Sequence, residues 1–151
     1  MNREISFRGK RIDDGEWVYG SFCMDALEQF NGLCGVDGFI RLYDKDSGKM
    51  QMYEVDRETV GQFTGLIDKN GTKIFEGDIL RIEWKVAGRT PVHEIHIVLY
   101  RKSGFFTVNN GLLKGQLSNY ACSNCRGLSA EVIGNIHGNP EMLEGGVEVC
   151  G

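Results

Sequence analysis

The sequence of 151 residues lacks the features that mark several large classes of protein. No stretch approaches the ~18 consecutive apolar residues that a membrane helix needs, so we expect no membrane partner. The first eight residues, Met-Asn-Arg-Glu-Ile-Ser-Phe-Arg, contain no apolar segment of the kind that a secretory signal carries. We therefore expect a cytoplasmic protein whose five cysteines stay reduced.

The common motifs of catalysis and nucleotide binding are also missing. There is no Gly-x-Gly-x-x-Gly, no phosphate-binding Gly-Lys-Ser/Thr, no Gly-x-Ser-x-Gly and no His-Glu-x-x-His. The sequence therefore predicts no cofactor and no catalytic residue. A Cys–His pair whose members meet only in the folded protein stays open as an alternative, since such pairs leave no local motif.

Cations are in the minority, with 17 lysines and arginines against 21 acidic residues and a net charge of −4. This balance argues against extensive phosphate binding, which depends on many cations. Residues 1–11 and 81–102 are nevertheless locally basic, which makes nucleic acid an alternative partner. The candidate contacts are Arg3, Arg8, Lys10, Arg11, Arg81, Lys85 and Arg89. The simpler interpretation of these charges is an ordinary solvated surface.

Glycine, in contrast, is abundant, with 21 residues spread along the chain. The longest glycine-free run is residues 89–103, which leaves little room for long helices because glycine weakens a helix interior. Asp68-Lys69-Asn70-Gly71 predicts a turn, and residues 79–85 alternate between apolar and charged side chains as a half-buried strand does. We therefore predict a mainly β protein of short strands arranged as a small barrel or sandwich.

Only short helical segments are expected. Asp56 is placed to cap one helical turn over residues 56–60, and residues 23–30 form a weaker candidate. Near the C-terminus, Asn139 and Pro140 predict the start of a further turn of helix.

Cys122 and Cys125 form a Cys-x-x-Cys, which is a weak candidate for half of a metal site. His93 and His96 are the available partners, but three residues along a strand they point to opposite faces. We therefore favour two ordinary loop cysteines and predict no metal.

Four blocks of sequence together resemble the YopX family of phage and prophage proteins. The blocks are residues 3–10 (Arg-Glu-Ile-Ser-Phe-Arg-Gly-Lys), 17–20 (Trp-Val-Tyr-Gly), 55–79 and 132–143. The third is the longest and most specific, and runs from Val-Asp-Arg-Glu-Thr-Val-Gly-Gln-Phe-Thr-Gly-Leu to Ile-Phe-Glu-Gly-Asp-Ile. Arg57 and Gly138 depart mildly from the family pattern, where proline and glutamate are frequent.

The resemblance implies a mostly β protein of a mobile element, found in the cytoplasm of a bacterial host. It implies a partly open, SH3-like barrel in the second half, an additional β lobe from the N-terminal half and few short helices. It implies no reaction, cofactor or catalytic residue. The glycines of the motif fit turns and close approaches, and Asp78 and Asn135 fit hydrogen-bonding positions at a turn and a strand end. Gln62, Thr64, Asp78 and Asn135 are the candidates for a binding surface, but we favour the structural interpretation of the motif.

The sequence therefore predicts one domain over residues 1–151, or two intimate lobes over about 1–60 and 61–145. The expected function is that of a non-enzymatic phage or prophage accessory protein, acting by macromolecular binding or self-assembly. Its expected partners are a second copy of the chain, nucleic acid, or a host or phage protein. The alternatives are a nucleic-acid-binding barrel, and a small Cys/His enzyme or zinc protein.

Overall fold

A computed structural model describes residues 4–23, 38–121 and 127–143. The described chain is built almost entirely from antiparallel strands, which confirms the mainly β prediction. The SH3-like label is not confirmed. The chain divides into two compact units, Met1–Phe63 and Thr64–Gly151. No helix within the described ranges has both the length and the apolar character needed to cross a membrane.

The first sheet contains five strands in chain order. They are β1 (Phe7–Arg11), β2 (Trp17–Cys23), β3 (Phe39–Asp44), β4 (Lys49–Ile67) and β5 (Lys73–Phe75). β1 pairs with β4 as well as with β2, so strands β1 to β4 form a closed ring. The ring closes because β4 changes partner along its length. Residues 49–54 of β4 face β3, and the residues that follow face β1.

Ring closure explains one wrong prediction in the first unit. Residues 56–60 are strand instead of a helical turn, and the β1–β4 register shifts there. Thr59 holds this bulge, because its hydroxyl donates to the Asp56 carbonyl and accepts the Lys10 N–H. Asp56 still accepts the Glu58 N–H at 3.0 Å, as a capping residue would. Asp56 therefore makes the hydrogen bond expected of a capping residue, but strand pairing determines the conformation of residues 56–60. The candidate helix at 23–30 lies outside the described residues, except for Cys23 at the end of β2.

The second sheet has the order β10-β6-β7-β8-β9. Its strands are β6 (Asp78–Trp84), β7 (Val92–Arg101), β8 (Gly104–Asn109), β9 (Leu112–Gln116) and β10 (Leu128–Asn135). A short 3-10 helix, η1 (Leu117–Asn119), follows β9. The predicted turn of helix near the C-terminus is present at residues 141–143.

The β8–β9 hairpin was missed by the sequence analysis, although its signal is present. Asn110 and Gly111 form the two-residue connection, with φ of 49° and 75°. Asn-Gly is the preferred pair for this tight turn because both residues tolerate positive φ.

The core of the second unit is formed by alternate residues of its strands. Ile74, Leu80, Ile82 and Val98 are fully buried, and Leu117 of η1 packs with them. Each such side chain contributes roughly 1.5–3 kcal/mol through removal from water. The strand order places β10 at one edge of this sheet, and the turn that follows β4 lies beside it.

Candidate functional site

The turn after β4 is fixed to the edge of β10 by one buried carboxylate. Asp68 Oδ1 accepts the N–H groups of Asn70 and Thr72 at 2.8 and 2.9 Å. Its other oxygen, Oδ2, accepts the Val132 N–H at 2.9 Å. The Lys69 N–H adds a bond of 3.0 Å to the Ala130 carbonyl. The turn therefore occupies part of the β10 edge.

The two hydrogen bonds that reach β10, from Lys69 and to Asp68, show which backbone groups of this strand face outward. The Ala130 carbonyl and the Val132 N–H point away from β6, since their partners lie in the turn. The Gly127 carbonyl points the other way, toward the Lys85 N–H. Because N–H and C=O directions alternate along an antiparallel strand, Leu128 also directs its backbone groups outward. The described residues supply no backbone partner for Leu128 on that edge.

A cleft of about 500 Å³ lies along this edge. Leu66, Tyr120 and Leu128 give it apolar walls, and each also packs against the core of the second unit. Ile67 lines its outer part and is 54% exposed. A cleft with apolar walls and outward backbone groups can bind an extended chain.

A cluster of charges lies beside the cleft. Glu131 Oε2 is 2.8 Å from the Arg81 guanidinium and 3.3 Å from Lys69 Nζ. These hydrogen bonds, with Arg81 contributing the most, hold the pKa of Glu131 below its ordinary value. Glu131 therefore neutralises part of the positive charge at this edge.

His96 forms a network that resembles a catalytic triad in geometry. Its Nδ1 lies 3.0 Å from Thr107 Oγ1, and its Nε2 lies 2.8 Å from Glu94 Oε2. Both His96 and Thr107 are fully buried, and the ring packs against Trp84 and Tyr120. A substrate cannot reach the Thr107 hydroxyl, so the network stabilises the fold. His93, three residues earlier, is half exposed near Glu83, as the spacing on a strand predicts.

The pH dependence of stability should report on His96. Burial lowers the pKa of His96 despite the neighbouring Glu94, and Lys114 lowers it further. The unfolded chain therefore binds a proton more readily, and stability should fall as pH drops below the ordinary histidine pKa of about 6.5. We expect the urea midpoint to be lower at about pH 5.5 than at about pH 8, and His96→Gln to flatten this difference.

His93→Gln serves as the control, because it removes a half-exposed imidazole from the same strand. Equal pH dependence in the His96→Gln variant and the wild type would contradict the assignment.

The basic residues proposed from the first segment have different environments. Arg8 is buried, with its guanidinium 4.9 Å from the centre of the Trp17 ring. Arg11 pairs with Asp13 and with Asp14, and its guanidinium lies over the Tyr53 ring. Lys10 is partly exposed on β1. Arg3 lies outside the described residues.

The cations of the second segment are exposed, and two have acidic neighbours. Arg81 pairs with Glu131, and Lys85 Nζ lies 2.9 Å from Glu83 Oε1. Arg89 is exposed in the loop before β7. The hypothesis that these cations form one nucleic-acid surface with residues 1–11 stays a prediction.

The residues singled out through the family motif serve mainly to hold the backbone. Thr64 is buried and its hydroxyl donates to the Ile74 carbonyl at 2.8 Å. Asp78 is buried and accepts the Phe75 N–H at 2.7 Å.

The other two motif residues also contact the backbone or lie within the sheet. Asn135 Oδ1 accepts the N–H groups of His137 and Gly138. Gln62 is half-buried on β4, opposite Phe7 of β1. These contacts favour the structural interpretation over a shared binding surface.

The weak metal candidates Cys122 and Cys125 lie outside the described residues. Within the described ranges, no three His, Cys, Asp or Glu side chains converge as metal ligands would. The sequence analysis missed the cleft, whose signal was indirect. It identified the turn that begins at Asp68, but not the strand edge that this turn meets.

The described residues define a small antiparallel β protein whose candidate site is a cleft along a strand edge. The chain belongs to the YopX protein family, whose family model matches residues 6–144. This match confirms the resemblance drawn from the four sequence blocks. No curated protein matches the chain. Protein EF1440 from Enterococcus faecalis, a solved structure, is similar, with 26% identity and a TM-score of 0.49. The similarity covers 94% of this chain and 99% of that one.

Proposed function

We propose that the protein is a non-enzymatic accessory protein of a phage or prophage that binds an extended segment of a partner protein. Membership of the YopX family supports the link to a mobile element, and we place its action in the cytoplasm of the bacterial host. The outward backbone edge at Leu128, inside an apolar cleft, is the observation that carries the binding role.

The edge suits main-chain recognition. An extended peptide can add a strand to an exposed sheet edge, where main-chain hydrogen bonds provide affinity and side-chain pockets provide specificity. The turn from Asp68 to Lys69 already binds the Ala130 carbonyl and the Val132 N–H. An incoming strand would therefore pair only with the start of β10, at the backbone groups of Leu128 and the Ala130 N–H.

The cleft walls define the chemistry of the partner segment. Leu66, Tyr120 and Leu128 form an apolar surface, so every second side chain of the bound peptide should be apolar. Lys69, at the mouth of the cleft, is shared with Glu131, so we expect the peptide's charge to matter little.

Nucleic acid is supported less well. Arg11, Arg81 and Lys85 already have carboxylate neighbours within ion-pair distance. A phosphate would have to displace these carboxylates, and the overall charge is negative. The alternative of a Cys/His enzyme gains no support from His96, which is buried in its own network.

A displayed library of random heptapeptides tests the proposal. We expect the wild-type protein to enrich peptides in which apolar and polar residues alternate. Ile67→Asp should weaken their binding by about tenfold or more, because it places a charge against the apolar wall. The readout is titration of one enriched synthetic peptide, together with hydrogen exchange of the Leu128 and Ala130 amides.

Val86→Asp is the matched control, since Val86 is 56% exposed, against 54% for Ile67, and does not line the cleft. It should retain full peptide binding. If the Ile67→Asp variant binds the same peptides as well as the wild type does, or if the wild type enriches no peptides, the proposed site is refuted.

A further inference from the structure

The outer face of strands β2, β3 and β4 in the first unit presents large apolar side chains to solvent. Tyr43 and Met50 are opposite each other in the β3–β4 register, and Met52 is opposite Arg41. The exposed fractions of Tyr43, Met50 and Met52 are 58%, 53% and 54%. Tyr19 on β2 is also about half exposed. Of the side chains that alternate with them, Ile40 and Val55 are fully buried, and Leu42, Gln51 and Tyr53 are partly buried.

This composition is typical of a protein interface. Tyrosine, methionine and arginine are enriched in interfaces compared with the rest of the surface, and adjacent exposed apolar side chains mark interaction sites. We refer to Ser21, Arg41, Tyr43, Met50, Met52 and Glu54 as the outer face. All six are exposed.

The outer face carries charges of both signs. Arg41 and Glu54 occupy neighbouring positions on β3 and β4, one step apart along the strands. Among the described residues, neither side chain has an ion-pair partner, which contrasts with Arg11, Arg81 and Lys85. A partner for this face therefore needs an anion for Arg41 and a cation for Glu54.

We infer that the partner is a second copy of the chain, bound through the same face. A two-fold axis makes a surface meet itself, so a face with one unpaired cation and one unpaired anion can satisfy both charges twice. An axis in the interface plane, parallel to the strands and between β3 and β4, places each Tyr43 opposite the other copy's Met50. It also brings each Arg41 within one step along the strand of the other copy's Glu54. The Tyr43–Met50 pairs then form the apolar contact, across sheets spaced about 10 Å apart.

This inference concerns the first unit and does not depend on the cleft proposed for partner binding. Light scattering of the purified full chain at micromolar and near-millimolar concentrations tests it. We expect the wild type to reach twice the monomer mass of 16.9 kDa. Met50→Asp should remain monomeric, because it places a carboxylate opposite the other copy's Tyr43.

Charge reversal provides a sharper test of the arrangement. Arg41→Glu should raise the dissociation constant of the dimer by about tenfold or more, since two carboxylates would then meet. The double variant Arg41→Glu with Glu54→Arg should restore dimerisation, because the charges are exchanged but still complementary. Circular dichroism checks that each variant is folded, as expected for exposed positions.

Ile12→Asp is the control, since Ile12 is an exposed apolar residue of the same unit that lies outside the face. It should leave the dimer intact. A wild-type monomer at all concentrations overturns the inference, as does a dimer that persists in Met50→Asp or is not restored in the double variant. Ile67→Asp should lose peptide binding but keep the dimer, so the two proposals fail separately.

Discussion

Replacement of Asp68 by alanine is expected to lower the free energy of unfolding by about 4 kcal/mol, which is a large part of the 5–15 kcal/mol typical of a folded protein. The carboxylate accepts three backbone N–H groups, from Asn70, Thr72 and Val132. Asp68 is buried, so these donors would lose a charged acceptor where water is scarce. Urea unfolding measures the change, and hydrogen exchange of the Val132 amide shows where it arises.

Asp68→Asn provides the matched control. The asparagine carbonyl oxygen can still accept from Asn70 and Thr72, but its amide would face the Val132 N–H as a second donor. We expect a smaller loss of about 1–2 kcal/mol. An Asp68→Ala variant within about 1 kcal/mol of the wild type would show that the turn is not held by this carboxylate.

Replacement of Gly20 by alanine is expected to cost about 3 kcal/mol, through overpacking of strands β2 and β3. A Cβ at Gly20 would lie 2.2 Å from the Arg41 carbonyl oxygen and 3.2 Å from the Ile40 side chain. The closest neighbour is backbone, so a side-chain rotation cannot relieve the contact, and the two strands must move apart.

The two tryptophans make this effect measurable within one unit. Trp17 lies on β2 and Trp84 on β6, so a Trp84→Phe background leaves Trp17 as the only tryptophan, reporting on the first unit. Urea unfolding in that background should show the loss from Gly20→Ala. Ser21→Ala is the control, because Ser21 is an exposed residue of the same strand and the substitution adds no atom. A similar effect from both variants would contradict the steric argument.

Local features of the fold were predictable because neighbouring residues encode them. The turn at Asp68 follows from aspartate and asparagine bonding to their own backbone, and the bonds to Asn70 and Thr72 confirm it. The strand over residues 79–85 follows from alternation, and β6 places Leu80 and Ile82 in the core. Asn110-Gly111 carried the same kind of local signal for β9.

The partners of these elements were not predictable in the same way. Asp68 accepts from Val132, 64 residues further along the chain, and no local pattern indicates that contact. The basic segments illustrate the same limit, since Glu131 lies 50 residues from Arg81 in sequence but pairs with it in space. An apparent basic patch in the sequence is therefore partly neutralised in the fold.

The mainly β class, the turn at Asp68 and the YopX family could be inferred from the amino-acid sequence, because glycine placement, alternation and motif blocks are properties of short segments. Three features emerge only in the folded chain: β4 closes a ring with β1, β10 forms a sheet edge beside a cleft, and His96 is buried with Thr107. They could not be inferred because strand order and register bring distant residues together. Burial and charge pairing, which determine what a residue can do, depend on those distant neighbours.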